Sequence, residues 1–257
     1  MASMRDIKRR KDSIQSTGQI TKAMKLVSTV KLQKAKGRAE NTKPYFDLMY
    51  ETVQSILAKS GHINHKYLKE SESDKKAVIV VTANRGLAGG YNSNITRMII
   101  DEGFTKENTV VYAVGKKGRE LLERKGYEIK ADYSEAINDP IYKDAKEICD
   151  DVLSAFADGE VGEIYLAYTV FKNTVVHEPQ LIRLLPVEAD DAAHETDGSE
   201  ALMTYEPSEE EALDMIIPKY VCSLVYGALI ESVASENGAR MQAMDSATSN
   251  AEEMIST

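Results

Sequence analysis

The sequence predicts an α/β protein in which a Rossmann-like domain with a largely parallel sheet is carried on a long antiparallel coiled coil of the N- and C-terminal helices. Three observations point there. The first 59 of 257 residues have no proline before Pro44, and their apolar residues recur at helical spacing. Residues 208–257 repeat that pattern at the far end. Between them, continuous β-branched runs alternate with short helical segments, which is the pattern of a sheet layered with helices. The expected units are an N-terminal coiled-coil helix at 1–59, an α/β globular domain at 76–187 and a C-terminal coiled-coil helix at 208–257.

The first helix opens at Ser3 and Asp6, spaced as a capping box. Its apolar positions are Met4, Ile7, Ile14, Ile20, Met24 and Val27, then Tyr45, Leu48, Met49, Val53, Ile56 and Leu57. Gly18 and Gly37 weaken it by about 1 kcal/mol each relative to Ala. Pro44 predicts a kink rather than a stop, because the apolar pattern resumes after it. At 1.5 Å per residue such a helix runs about 80 Å, against about 30 Å for a small domain. It must protrude.

The last helix has a strong start in Pro207-Ser208-Glu209-Glu210-Glu211, with Ser208 as N-cap and acids at the positive end of the dipole. Leu213, Ile217, Tyr220, Val221, Leu224 and Ala228 continue it, and Pro218 predicts a second kink. Met241, Met244, Ala247, Ala251, Met254 and Ile255 follow after Gly238. Two such helices can bury their stripes on each other as an antiparallel coiled coil. The seam is not a clean heptad, since Gly, Ala, Ser, Thr and Lys interrupt it. That suits a coil that meets more than its own partner helix.

In the middle, Ala77–Ala83 is an apolar, β-branched run of the kind buried on both faces. Helices are expected at 93–103, 116–125 and 140–157, and further strands at 109–114, 163–171 and 180–187. Pro179 and Pro186 mark the last strand as an edge. Residues 60–75 read as a linker, and residues 186–216, with 11 acids and no Lys or Arg, as a solvated loop leading into the last helix.

The net charge of −9 conceals an asymmetry. Residues 1–43 carry 12 Lys/Arg against 3 Asp/Glu, and the rest carry 20 against 38. Such a division within one chain marks an interaction surface. The basic residues Lys8, Arg9, Arg10, Lys11, Lys22, Lys25, Lys31, Lys34, Lys36 and Arg38 lie all round the helix. No aromatic residue is interleaved before Tyr45. A nucleic-acid footprint would be one-sided or offer stacking platforms, so docking on an acidic protein surface is the better reading. No apolar run of membrane-spanning length stands out and the N-terminus has no signal-peptide core, so no membrane insertion is expected.

The turn Thr82–Asn92, with Gly86, Gly89 and Gly90, follows the first strand and opens a helix. Rossmann and P-loop proteins cradle phosphates at that place. The turn is neither GxGxxG nor a Walker loop, and no acid follows at the ribose position. A tight structural turn is the plainer reading, with a nucleotide-binding α/β protein using residues 84–92 as the runner-up. His62 and His65 sit in the linker without clustered ligands and read as solvated. Cys149 and Cys222 fall in helices among apolar neighbours and read as buried, unreactive thiols. No catalytic set can be assembled, and no cofactor or metal site is expected.

With these pieces in place, the chain resembles the gamma subunit, or central rotor shaft, of bacterial F-type ATP synthases along its whole length. Four segments carry the resemblance: Ile20-Thr21-Lys22-Ala23-Met24-Lys25-Leu26-Val27-Ser28; Arg85-Gly86-Leu87-Ala88-Gly89-Gly90-Tyr91-Asn92; Tyr205-Glu206-Pro207; and Ala234-Ser235-Glu236-Asn237-Gly238-Ala239-Arg240-Met241-Gln242-Ala243-Met244. The resemblance implies a non-catalytic subunit of a proton-translocating complex at the cytoplasmic face of the cell membrane. Its coil penetrates a ring of alpha and beta subunits, and its foot rests with the epsilon subunit on the c-ring. Rotation of the c-ring then drives the beta subunits through different nucleotide affinities. By the same resemblance Lys22, Met24, Lys25, Arg240 and Gln242 form a belt against the beta subunits. Tyr205 and Glu206 touch epsilon or the c-ring. Members usually continue beyond the position of Thr257 into a shaft tip. Without that segment, Met4, Ile7 and Ile14 are expected to lie exposed.

Overall fold

The computed structural model describes residues 4–59, 65–69, 73–187 and 208–256. The elements in chain order are α1 (Met4–Lys59), β1 (Lys76–Val81), α2 (Tyr91–Asp101), β2 (Thr109–Val114), α3 (Lys116–Arg124), β3 (Glu128–Asp132), α4 (Tyr142–Ala157), β4 (Glu163–Phe171), β5 (His177–Leu185) and α5 (Glu209–Ser256), with a 3₁₀ turn at Ala136–Asn138. The sheet order is β3-β2-β1-β4-β5. The first four strands run parallel, and β5 returns antiparallel on β4.

The continuous apolar runs of β1 and β2 follow from cover on both faces. On one face Val78, Val80, Val111 and Ala113 pack with Ile95, Ile99 and Leu122 of α2 and α3. On the other, Ala77, Ile79, Val81 and Tyr112 pack with Ile148 and Val152 of α4 and Leu213, Ile217, Val221 and Val225 of α5. Val53 and Ile56 at the lower end of α1 join that second core. Each fully buried side chain of this size contributes about 1.5–3 kcal/mol. One stretch of α5 is, by length and composition, apolar enough to cross a membrane. No such stretch was expected from the sequence. More than half of it is buried on α1, α4 and the sheet, which is where its apolar character is used.

Two strands differ from expectation. β3 has no apolar signature, because Glu128-Ile129-Lys130-Ala131-Asp132 alternates exposed and half-buried positions at an edge, and its pairing with β2 shifts register by one residue at Lys130. β5 begins at His177 rather than Gln180, so Pro179 lies inside the strand, opposite Thr169. An outer strand tolerates the missing N–H. α4 is capped by Asp144, whose carboxylate accepts the Ile141 N–H at 2.9 Å. Ser208 caps α5 as expected, accepting the Glu211 N–H at 3.2 Å.

α1 and α5 pair antiparallel. Gly18 lies against Ala251, Thr21 bonds Thr248, Lys25 meets Asp245, Phe46 lies against Gly227 and Tyr226, and Tyr50 against Tyr220. Both helices run unbroken through Pro44 and Pro218. Met4 and Ile7 are exposed beyond the end of α5, as expected, whereas Ile14 is half-buried because the last turn of α5 still reaches its level. His65 is a correction: it is buried, its Nε2 lies 3.1 Å from Asp214 Oδ1, and its ring lies tilted against Tyr67, centroids 5.4 Å apart. The linker tucks it under the base of α5. His62 lies outside the described residues.

Candidate functional site

The seam mixes small, apolar and hydrogen-bonding groups. Thr21 Oγ1 and Thr248 Oγ1 are 2.7 Å apart, and each also lies within hydrogen-bond reach of a carbonyl of its own helix, Gly18 and Met244 respectively, so two hydroxyl hydrogens are shared among three contacts. Leu32 and Ala35 pack on Ala234. Ser235 donates to the Thr169 carbonyl at 3.0 Å, fastening α5 to β4. Lys25 and Asp245 pair at 2.6 Å but stay half-exposed, so that bridge contributes under about 1 kcal/mol. A double-mutant cycle on Thr21→Val and Thr248→Val is expected to give a coupling of about 1 kcal/mol in denaturant unfolding. A coupling near zero would mean the two intrahelical bonds suffice.

The glycine turn is held from within. Asn92 Oδ1 accepts the Ala83 N–H at 2.8 Å. Asn84 Nδ2 donates to the Ser134 carbonyl at 2.7 Å, and its Oδ1 accepts the Lys116 N–H at 2.9 Å. Leu87 takes a left-handed conformation at φ 62° and points outward, 64% exposed. Tyr91 donates to the Ser232 carbonyl at 3.2 Å, and burial pushes its hydroxyl far above the ordinary tyrosine range. Arg240 Nη2 donates to the carbonyls of Gly86 at 3.3 Å and Arg85 at 3.4 Å, and pairs with Glu236 at 2.7 Å. The two side chains of that pair are only 11% and 14% exposed.

This geometry decides against a phosphate cradle. In such a sheet the ligand crevice lies at the carboxyl ends of the strands where their order reverses, here β1 and β4. α5 borders that crevice, its Arg240 bound to the Arg85 and Gly86 carbonyls. The turn offers carbonyl oxygens to a cation of its own chain, whereas a phosphate needs N–H donors. Calorimetric titration with nucleotide is expected to give no heat of binding. Among the described residues, no group of three or more His, Cys, Asp or Glu stands close enough to hold a metal.

The belt residues divide into separate neighbourhoods. Met24 and Arg240 line one cavity of about 740 Å³ between α1, the glycine turn and α5. Lys34 and Arg38 line it too and face Asp139 at 3.7 and 2.6 Å. Gln242 is exposed beside a second cavity of about 370 Å³, shared with Gly89, Gly90 and Ala239. Lys22 is exposed, and Lys25 is held by Asp245. Tyr205 and Glu206 lie outside the described residues. Sequence reasoning missed Glu236 and Asp245. The four-residue spacing of Glu236 and Arg240 carried a signal for the first, and nothing local carried one for the second. On α1, Ile20, Leu26, Val27 and Val30 are each more than half exposed. Apolar side chains left bare on a basic helix mark a surface meant for a partner.

Fold and surface together define a stalk protein, a protruding coil braced by a sheet domain whose glycine turn is bound by its own helix. A family model described as ATP synthase matches residues 3–257. The chain is 67% identical to the ATP synthase gamma chain of Lachnoclostridium phytofermentans, over all of this chain and 90% of that one. It is 41% identical to the sodium-ion-specific ATP synthase gamma chain of Acetobacterium woodii, over 98% and 89%. Among solved structures, a chain of the Tetrahymena thermophila mitochondrial ATP synthase central stalk and c-ring aligns with a TM-score of 0.66 and 26% identity, over 89% of this chain and 99% of that one. The chain belongs to the ATP synthase gamma-chain family.

Proposed function

We propose that the chain is the central-stalk subunit of a membrane-associated ATP synthase, a non-catalytic rotor that carries rotation from a c-ring to the nucleotide sites of surrounding alpha and beta subunits. One observation carries this reading beyond family membership. The paired helices lie on the sheet domain through the lower half of α5 and continue beyond it, and α1 keeps Ile20, Leu26, Val27 and Val30 bare beside a run of cations. A shaft turning in a ring of acidic loops needs an asymmetric, lightly sticky surface of that kind, and its charge steers assembly.

In this reading Lys22, Met24, Lys25, Arg240 and Gln242 form the belt against the beta subunits, and Tyr205 and Glu206 meet epsilon or the c-ring at the cytoplasmic face. The internal bonds of Arg240 and Lys25 hold those cations in place before a partner arrives. The test is co-expression with alpha, beta and epsilon subunits. Recovery of a complex with rotary ATPase activity supports the reading, and failure to assemble overturns it. Lys22→Glu and Gln242→Glu, on exposed side chains, are expected to lower coupled ATP synthesis severalfold while leaving unfolding temperature unchanged. Full coupling in both variants removes them from the belt.

A further inference from the structure

The β4–β5 hairpin meets the shaft through a histidine. Phe171 and His177 pair across the hairpin, their ring centroids 5.8 Å apart. The His177 ring lies on the backbone of α5 at Gly238. A Cβ there would fall 2.6 Å from His177 Cε1, 3.1 Å from its Nε2 and 3.4 Å from the Phe171 ring. Glycine is a poor residue for a helix interior, and this one makes the notch that admits the imidazole. The hairpin tip is held by its own turn, where Asn173 Oδ1 accepts the Val175 and Val176 N–H groups at 2.9 Å each. It can therefore move as a preformed unit.

The contact leaves polar groups unmet. Both ring nitrogens of His177 and the Thr169 hydroxyl are buried without a partner at hydrogen-bond geometry. Buried polar groups nearly always have partners, so three orphans at one contact need a reason. His177 and Thr169 line the cavity of about 370 Å³, and no Asp, Glu, Lys or Arg is among its described lining residues. The charged and titratable groups on the packed elements are engaged elsewhere. Glu236 and Arg240 of α5 pair at 2.7 Å, and Arg240 reaches the glycine turn. Lys172 and Glu178 pair at 3.7 Å on the solvent side of the hairpin. Glu231 lies about two turns below Gly238, its carboxyl pushed up by burial, and accepts the Phe171 N–H. Tyr91 of α2 donates its hydroxyl hydrogen to the Ser232 carbonyl. None of these carboxylates receives a charged imidazole at Gly238.

An uncharged ring tolerates this seat better than a charged one. Imidazolium carries two N–H groups and a charge, all of them unmet here, whereas in water the same ring protonates in its ordinary range. Burial lowers the proton affinity of the seated ring, and the Thr174 backbone offsets this only in part. The docked hairpin thus binds fewer protons than a released one. Docking is complete above the ordinary imidazole range. It weakens by up to about tenfold per pH unit as pH falls below that range, until the seated ring itself protonates.

We propose that His177 is a proton-operated clasp between the sheet domain and the shaft: uncharged, it seats the β4–β5 hairpin in the notch at Gly238, and on gaining a proton it leaves the notch and releases the hairpin. Water that follows also reaches the Thr169 hydroxyl, so opening satisfies all three orphaned atoms. Ser235, bonded to the Thr169 carbonyl at 3.0 Å, keeps the rest of β4 on α5. Acid therefore frees one face of the coil at Gly238 while the sheet and the shaft stay folded.

The test uses the full chain. Hydroxyl-radical footprinting read by mass spectrometry is expected to show oxidation of Phe171 rising severalfold between about pH 7.5 and about pH 5.5, with the exposed Leu48 as an unchanged reference. His177→Gln, which cannot take up the proton, should keep oxidation of Phe171 low at both pH values. Gly238→Ala fills the notch and should leave it high at both. Nuclear magnetic resonance of the chain labelled at histidine Cε1 gives an independent reading. The His177 signal, identified by its loss in His177→Gln, should titrate below the ordinary range in the wild type and within it in Gly238→Ala. Equal oxidation of Phe171 at the two pH values in the wild type overturns the proposal. So does a rise that persists in His177→Gln, or a wild-type His177 that titrates in the ordinary range.

Discussion

Arg240→Glu is expected to abolish most gradient-driven ATP synthesis in the assembled complex while the chain stays folded. The guanidinium joins three groups: the carbonyls of Arg85 and Gly86, and the Glu236 carboxylate. Reversal leaves two carboxylates four residues apart on α5, facing two carbonyl oxygens, with no donor among them. Breaking a buried pair by removing one partner costs about 3–5 kcal/mol. Here the strain falls on an exterior turn and not on the core, so far-ultraviolet circular dichroism should keep its helical signal. Hydrogen exchange at residues 84–90 should quicken. A loss of about 1.4 kcal/mol in driving each step already slows it tenfold, so a loss of at least about tenfold in synthesis is expected. Arg240→Lys should fall between the two, because an ammonium keeps the charge but lacks the planar fork that spans two carbonyls and a carboxylate. Unchanged synthesis in Arg240→Glu would remove this residue from the coupling path.

The second large effect is on stability. Gly115 ends β2 at φ 117°, and a Cβ there would sit 2.1 Å from the Thr82 carbonyl oxygen, a backbone atom of the neighbouring strand end. Gly118 is nearly as tight, its Cβ falling 2.6 Å from the Thr82 hydroxyl oxygen, and its N–H donates to that oxygen at 2.9 Å. Gly115→Ala must therefore push β1 and β2 apart at the centre of the sheet, with an expected loss of about 4 kcal/mol or more. For a domain of this size that is a drop of about 10 °C or more in melting temperature. Two other glycines serve as controls. Gly159 also has a positive φ, 72°, but open space around its Cβ position, so Gly159→Ala should lose only the conformational strain of about 1–2 kcal/mol. Gly37 lies in α1 with nothing within 4 Å, so Gly37→Ala should stabilise by about 0.5–1 kcal/mol. Calorimetric melts of the three variants check the ranking. A Gly115→Ala melt no lower than that of Gly159→Ala would show that the sheet can open at Thr82.

Much of this architecture was legible in the sequence where one physical requirement dominated. β1 and β2 announced themselves because both of their faces are covered, which forces an unbroken apolar run. α1 and α5 were legible because no domain can absorb helices of that length. β3 was not, because an edge strand with one half-covered face needs only Ile129 and Ala131, too few to form a pattern. His65 was misread because its burial depends on Asp214, distant in sequence and brought beside it only by the base of α5. The residues expected to form a belt could be named from the sequence, but their arrangement could not. Nothing local tells that Arg240 turns inward to the glycine turn, that Lys25 is held by Asp245, or that Gln242 opens onto a different cavity from Met24.

α5 is one unbroken backbone that serves first as a layer on the sheet, through Leu213 to Leu229, and then as half of the coil to Ser256. A twist applied to the sheet domain therefore enters the upper coil with no joint in which to wind up. Whatever elastic give the molecule has must lie where the packing thins, in the reach above Ala234, where small residues, Met241, Met244, a pair of threonines and the half-exposed Lys25–Asp245 bridge join the helices. The chain is built stiff at its base and compliant toward Ser256, like a torsion bar clamped at one end.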